Sequence, residues 1–383
     1  MPTTKIADKT TLDAVYTNTG LILTRDGIKT DGTDTYIYNP TTGLWVKVDL
    51  GGGGGASPTL IVINKNNSLN NKDITVTSAD NLFTKTTNMG TNNYITFSLP
   101  WLGNYIVSYS KIPSGTYTIN VTVSAVGGTT LDAAIQYSSF SECSNSDLST
   151  MLTMHYNDEI DLSTIWSVAD TKTISLSAMS AIGVGESHAA QNVVIAIKDF
   201  NHNNLVTPIN GHTKAILSLG QVDCLKETGY MNSTNTNTGS WGGSARRNWC
   251  NNIYYNALPS GIKSLVKPVN IITAKIYNGT TNETTQDYCY LYAVKEIIGG
   301  NGTSEGSGTG YSNLEEYQAL TQYPYYATSS RRIKKVNGSA NMWWERSPYC
   351  GGAIYFCGID NSGNVGGGAQ ASGAYGIAPG FDM

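Results

Sequence analysis

The chain has 383 residues, of which only 14% are charged, and its 24 Lys and Arg stand against 28 Asp and Glu for a net charge of −4. Soluble proteins average roughly 25% charge; here Gly (41) and Tyr (24) are abundant and the Arg residues are scattered, so the basic footprint of a nucleic-acid binder is missing. No stretch approaches the ~20 apolar residues of a spanning helix, and Met1–Asp8 lacks the apolar run of a secretory signal, which predicts a soluble, cytoplasmically made chain with no membrane insertion.

At this length two or three domains are expected. Residues 1–50 read as a small β module: Tyr36-Ile37-Tyr38, a turn at Asn39-Pro40-Thr41-Thr42-Gly43, then a return strand from Leu44 to Val48. Residues 51–58 open with five glycines, Gly51 to Gly55, too free in backbone to join an ordered element cheaply, and read as a linker. From 59 to 135 the texture is β. Leu60–Ile63, Tyr94–Phe97 and Tyr105–Val107 are short apolar runs, and Tyr117, Ile119, Val121 and Val123 alternate with Thr118, Asn120, Thr122 and Ser124 as in a half-buried strand. Short strands between turn signals predict an immunoglobulin-like β-sandwich.

Residues 136–383 read as a longer α+β domain. Ile165–Val168, Thr173–Leu176 and Val193–Ile197 look like strands. Ser244 is an N-cap for a helix whose Trp249, Ile253 and Ala257 share one face; Pro259-Ser260 ends it and Gly261–Val266 starts another. Residues 299–310 are of low complexity and read as a loop.

The usual catalytic patterns do not hold up. Gly302-Thr303-Ser304-Glu305-Gly306 fits a nucleophile elbow but lies in a Gly/Ser tract without the strand and helix that motif needs. His155, His188, His202 and His212 never fall at metal-ligand spacing. Asp158, Glu159 and Asp161 form a local acidic run, not a pair held across a cleft as glycosidic hydrolysis requires. The six Cys are spread with no C-x-x-C, so thiols are the default. No enzyme, metal or cofactor is expected.

The C-terminal stretch is different. Trp343-Trp344-Glu345-Arg346-Ser347-Pro348 concentrates two large rings beside an ion-pair candidate, and rings of that size belong to a core. The adjoining segment, Tyr349 to Tyr375, is rich in Tyr, Ser, Gly and Asn, the residue types of antibody-like paratopes. The chain closes on Gly376-Ile377-Ala378-Pro379-Gly380-Phe381.

W-W-E-R-S-P, the Gly/Tyr/Ser stretch, F-C-G-I and the terminal G-I-A-P-G-F together resemble the C-terminal C-type-lectin-like domain of bacteriophage and prophage tail proteins diversified by retroelements. Asp161–Ser177, Ile197–Ile209, Trp241–Lys263 and Tyr323–Arg346 add to the likeness, which spans about 140–383. The resemblance implies a multi-domain, mainly β protein with an α+β C-type-lectin-like recognition domain, acting as a tail-tip or fibre receptor-binding protein. Its implied partners are a bacterial cell-surface receptor, protein or glycan, and tail or baseplate proteins bound through residues 1–50. A homo-oligomer, a trimer, located in the virion is expected.

The implied ligand-binding set is Tyr349, Cys350, Gly351, Gly352, Ala353, Tyr355, Gly358, Asp360, Gly366, Gly367, Gly368, Ser372, Gly373 and Tyr375. The implied framework is Trp343, Trp344, Arg346, Pro348, Phe356, Gly363, Gly376, Pro379 and Phe381. Randomising adenines in AAC or AAT codons cannot yield Lys, Glu, Met, Trp or Gln, and Gln370 is the single residue of those types between 349 and 376. The competing readings are a tail decoration protein without receptor binding, or an oxidative enzyme on the same fold using Cys350 and Cys357.

Overall fold

A computed structural model describes residues 28–31, 34–39, 44–48, 57–126, 128–181, 183–275, 281–299, 319–349 and 352–383, with backbone alone for 28–48 and Gly367. The linker glycines 51–55, the tract 302–306, Cys350 and Gly351 therefore lie outside the described residues. The chain divides into two compact units, Met1–Ser138 and Ser139–Met383. It is a mainly β protein built from several separate sheets.

In the first unit, β1 (Ile28–Asp31), β2 (Asp34–Asn39) and β3 (Leu44–Val48) form an antiparallel sheet. The expected hairpin is present as β2 and β3, with Asn39 opposite Leu44. Seven further strands make a two-sheet sandwich: β4 (Thr59–Asn64), β5 (Asp73–Ser78), β6 (Thr84–Asn88), β7 (Tyr94–Ser98), β8 (Gly103–Ser110), β9 (Thr116–Val123) and β10 (Thr129–Ala133). One sheet runs β10-β4-β7, the other β6-β5-β8-β9, and a single core joins them through Leu60, Val62, Phe97, Ile74, Val76, Val107 and Val123. Strand β9 alternates as expected, with Val121 and Val123 buried and Thr118, Asn120 and Thr122 exposed.

The sandwich is not immunoglobulin-like in its strand partition. That fold sends the third strand to the sheet opposite the second, whereas β6 stays beside β5. Local hydrogen bonding accounts for the difference. Ser78 N donates to Phe83 O at 2.9 Å and Phe83 N to Ser78 Oγ at 2.9 Å, closing Ala79–Leu82 into a tight turn that keeps both strands in one ladder.

The second unit opens with the helix Asn145–Tyr156, capped by Ser144, and carries a central five-stranded sheet: β11 (Thr171–Leu176), β12 (Gln191–Phe200), β15 (Leu217–Gln221), β24 (Gly380–Asp382) and β18 (Cys289–Tyr290), in that spatial order. A four-stranded sheet pairs β14 (His212–Lys214), β13 (Asn204–Ile209), β16 (Val269–Ala274) and β17 (Asn282–Asp287). A two-stranded ribbon, β19 (Lys334–Val336) with β20 (Ser339–Asn341), precedes a three-stranded sheet of β21 (Trp343–Pro348), β22 (Tyr355–Ile359) and β23 (Val365–Gln370).

Two local expectations are corrected. Ile165–Val168 is not a strand: Leu162–Ile165 is a helical turn, because Asp161 Oδ1 accepts from Ser163 N at 3.0 Å and caps it, and local side-chain hydrogen bonding overrides β-branched propensity. The helix after Ser244 begins as expected at Ala245, but Cys250–Tyr254 is a π segment. The wider turn rotates the inward face, so that Tyr254 is buried where Ile253 is half-buried.

Asp382 closes the core of the central sheet. It is fully buried, accepts from Tyr290 Oη at 2.6 Å and Asn203 Nδ2 at 3.1 Å, and receives the Ser218 hydroxyl. Burial outweighs these hydrogen bonds and pushes its pKa up to about 6, against an ordinary value of 3.8. A carboxyl with a raised folded pKa binds its proton more tightly in the native state, so its stabilising contribution is complete below 3.8 and is lost as pH rises through about 6. Lowering the pH from 7 to 4 is therefore expected to stabilise the wild type relative to Asp382→Asn by up to about 3 kcal/mol, read from paired urea titrations at each pH.

Candidate functional site

The sheet β21-β22-β23 carries the face singled out by the sequence. Strand β21 is buried along its whole length, which is why it lacks alternation. Trp343 Nε1 donates to Arg332 O at 2.9 Å and Trp344 Nε1 to Gly229 O at 2.7 Å, so both rings satisfy their one polar atom inside the core. Arg346 is held by Glu296 in a bidentate pair, 2.6 Å from Nη1 to Oε2 and 2.8 Å from Nη2 to Oε1, with both side chains fully buried. Its remaining donors reach Thr273 Oγ1 (3.0 Å), Leu291 O (2.8 Å) and Ile272 O (3.0 Å). Every framework residue expected from the sequence, from Trp343 to Phe381, is buried.

The residues expected from the sequence to contact a ligand lie mostly on the other side of this division. Tyr349, Gly352, Tyr355, Asp360, Gly368, Ser372, Gly373 and Tyr375 are half-buried, and Ala353 and Gly366 are exposed. The rings of Tyr349 and Tyr355 meet edge to face at 6.1 Å, and Tyr375 stands edge-on to Trp344 at 5.0 Å. The tyrosines thus form two groups, one over β22 and β23 and one anchored on the framework.

Three assignments change. Gly358 is buried, and a Cβ there would lie 2.7 Å from Met342 Cε and 2.9 Å from Trp343 O, so it belongs to the framework. Gly368 is the hollow in which the tyrosines lie: a Cβ would come within 2.4 Å of Tyr349 Cδ1 and 2.9 Å of Tyr355 Cβ, so ring packing demands glycine. Asp360 is a turn former, since its Oδ1 accepts from Ser362 N at 2.8 Å and Asn364 N at 2.9 Å in the β22–β23 connection. Gly363, in the same turn, has φ +87°, a left-handed conformation that suits glycine. Cys357 is fully buried in β22. Among the described residues, no three His, Cys, Asp or Glu gather as a metal site would require.

Sequence reasoning missed the residues that hold the face in place. Asn237 is buried; its Nδ2 donates to Gly352 O at 3.0 Å and Tyr355 O at 2.6 Å, and its N–H to Ala353 O at 2.7 Å. Asn235 is exposed at the rim, where its Oδ1 accepts from Ser372 N at 3.1 Å and Ser372 Oγ at 2.6 Å. The signal was present in the Asn/Thr alternation of Asn232-Ser233-Thr234-Asn235-Thr236-Asn237-Thr238. Short amides and hydroxyls of this kind bond neighbouring backbone in place of regular structure.

Residues 213–383 match a family described as a domain of unknown function (DUF6273). The matched span contains β15 to β24, and with them the Arg346–Glu296 pair and the whole of the tyrosine face. No curated protein and no solved structure matches the chain.

The division between frame and face is measurable. Gly358→Ala is expected to destabilise by about 1–3 kcal/mol through overpacking, whereas Ala353→Ser at an exposed position stays within about 0.5 kcal/mol of wild type; chemical denaturation of both variants checks this. Glu296→Gln, which leaves the Arg346 charge buried without its counter-ion, is expected to cost about 3–5 kcal/mol in the same assay.

Proposed function

We propose that this chain is a bacteriophage tail-tip or fibre receptor-binding protein whose C-terminal domain, of C-type-lectin-like kind, binds a bacterial surface receptor through a sequence-variable face. The observation that carries the reading is the burial pattern of the C-terminal segment. Large and charged residues, Trp343, Trp344, Arg346, Phe356 and Phe381, are fully buried, while Tyr349, Tyr355, Tyr375, Ser372, Ala353, Gly352, Gly366 and Gly373 reach the surface. A domain that must tolerate changing contact residues needs its stability supplied elsewhere, and that is how these residues are divided.

On this reading Tyr349, Tyr355 and Tyr375 are the anchoring contacts, because half-exposed rings bring large apolar area with a polar tip at little entropic cost. The small residues around them present backbone more than side chain, which keeps the affinity of one site modest. A trimeric assembly repeated on one tail offsets that by avidity, without new contacts. Residues 1–50 dock to tail or baseplate proteins, and 51–135 serve as linker and spacer.

The triple variant Tyr349→Ala, Tyr355→Ala, Tyr375→Ala is expected to lower adsorption of virions to host cells by at least tenfold, since anchoring aromatics at interfaces each contribute more than about 1 kcal/mol. Circular dichroism and thermal melting establish that the variant is folded. Wild-type adsorption by a folded triple variant overturns the assignment.

A further inference from the structure

The four-stranded sheet of the sandwich turns a neutral, hydroxyl-rich face outward. Its register sets Thr86 opposite Thr75, Thr75 opposite Ser108, and Ser108 opposite Thr118, so one row of hydroxyls crosses all four strands. Adjacent strands lie about 4.8 Å apart, and side chains on one face repeat about every 6.8 Å along a strand. The hydroxyls therefore form a two-dimensional array. Thr75 and Thr86 are already joined at 2.8 Å, which orients both.

At one end the array deepens into an open groove of about 480 Å³ lined by Lys72, Asp73, Thr75, Ser108, Ser110 and Thr116 among others. That volume lies within the usual range of small-molecule sites, but such sites are mostly apolar, whereas every residue lining this one carries a polar side-chain group. Asp73 is exposed and pre-oriented, since Asn88 Nδ2 donates to its Oδ1 at 2.7 Å and to Asn71 O at 3.2 Å. Lys72 balances its charge, so the groove as a whole is neutral.

The chemistry of the lining selects a ligand class. Hydroxyls donate and accept, a carboxylate accepts from adjacent hydroxyls, and an ammonium donates three times. A lipid would leave these groups unpaired, and neither an anion nor a cation finds a net opposite charge. A ligand that carries many hydroxyls, each both donor and acceptor, and no charge matches all of them. We propose that the groove beside Asp73 and Ser110 is a binding site for neutral oligosaccharides, so that the sandwich is a second recognition module and not merely a spacer.

Isothermal titration of the full chain with maltotetraose, cellotetraose, chitotetraose and mannotetraose tests this, with 3′-sialyllactose as the anionic comparison. At least one neutral tetramer is expected to bind, and Asp73→Ala and Ser110→Trp each to weaken that binding tenfold or more at unchanged melting temperature. If Ser110→Trp does not fold, Asp73→Ala decides alone. The variant lacking Tyr349, Tyr355 and Tyr375 is expected to bind the tetramer as the wild type does, which separates this site from the C-terminal face. Failure of all four neutral tetramers to bind, preference for sialyllactose, binding that survives the groove substitutions, or loss of binding in the tyrosine variant alone would each overturn the proposal.

Discussion

The buried pair between Arg346 and Glu296 sets the position of everything that the C-terminal face depends on. Placing two charges in a protein interior costs several kcal/mol per ion, and that cost is recovered only when geometry is good and every remaining donor is satisfied. Here all five guanidinium N–H groups have acceptors: two on Glu296, one on Thr273, and the carbonyls of Leu291 and Ile272. Glu296 in turn accepts from Ala293 N at 2.9 Å and closes the first turn of its own helix. One side chain therefore ties β21 to β16, to the segment after β18 and to the helix Val294–Ile298. A strand shifted by one residue would leave both charges buried and unpaired, so the register of β21 is specified far more sharply than apolar packing alone would specify it.

The face inherits that definition through the backbone. Strand β22 is hydrogen-bonded to β21, β23 to β22, and Asn237 clamps the approach to β22 from the other side. With backbone positions held this way, side chains on the outer surface can be small or altered without moving their neighbours. The glycines show where this freedom ends. At Gly352 a Cβ would sit 3.4 Å from the Tyr355 ring, an ordinary contact, whereas at Gly358 and Gly368 it would collide with the frame or with both tyrosines. Composition alone cannot separate these two kinds of glycine, because the distinction lies in what packs over them.

Much of the architecture was legible because it rests on local periodicity and turn chemistry. The alternation in β9, the β2–β3 hairpin, the cap at Ser244 and the core role of Trp343 and Trp344 follow from neighbours in sequence. The features that were not legible depend on distant partners or local competition. Glu296 lies outside every motif, and its importance arises only when folding brings it to Arg346. Asn237 looks like one more polar residue in a polar run until its amide is seen bonding the strand that carries Tyr355. Asp161 reads as part of an acidic connector, yet its carboxylate diverts an apparent strand into a helical turn. The strand partition of the sandwich likewise turned on two hydrogen bonds at Ser78, which apolar patterning does not encode.

The scarcity of charge takes on a different meaning once the charges are located. In the second unit Lys198, Arg246, Glu296, Lys334, Arg346 and Asp382 are all fully buried. Lys198 and Lys334 converge on one carbonyl, Gln221 O, at 3.2 and 2.6 Å, with Lys198 over the Tyr325 ring and Lys334 over Trp343. Burial lowers the pKa of both, that of Lys334 to about 8. Arg246 bonds the carbonyls of Tyr230 and Val184 and lies 4.8 Å from the Trp249 ring centre. These buried charged groups thus act as internal ties between strands and loops, where low dielectric makes their geometry exacting. The two proposed recognition surfaces carry little net charge, tyrosine and backbone in one unit, hydroxyls with the mutually balancing Asp73 and Lys72 in the other. Contacts made by such surfaces draw little on Coulomb attraction and are weakly screened by salt, so selectivity rests on shape, ring placement and the matching of individual hydrogen bonds.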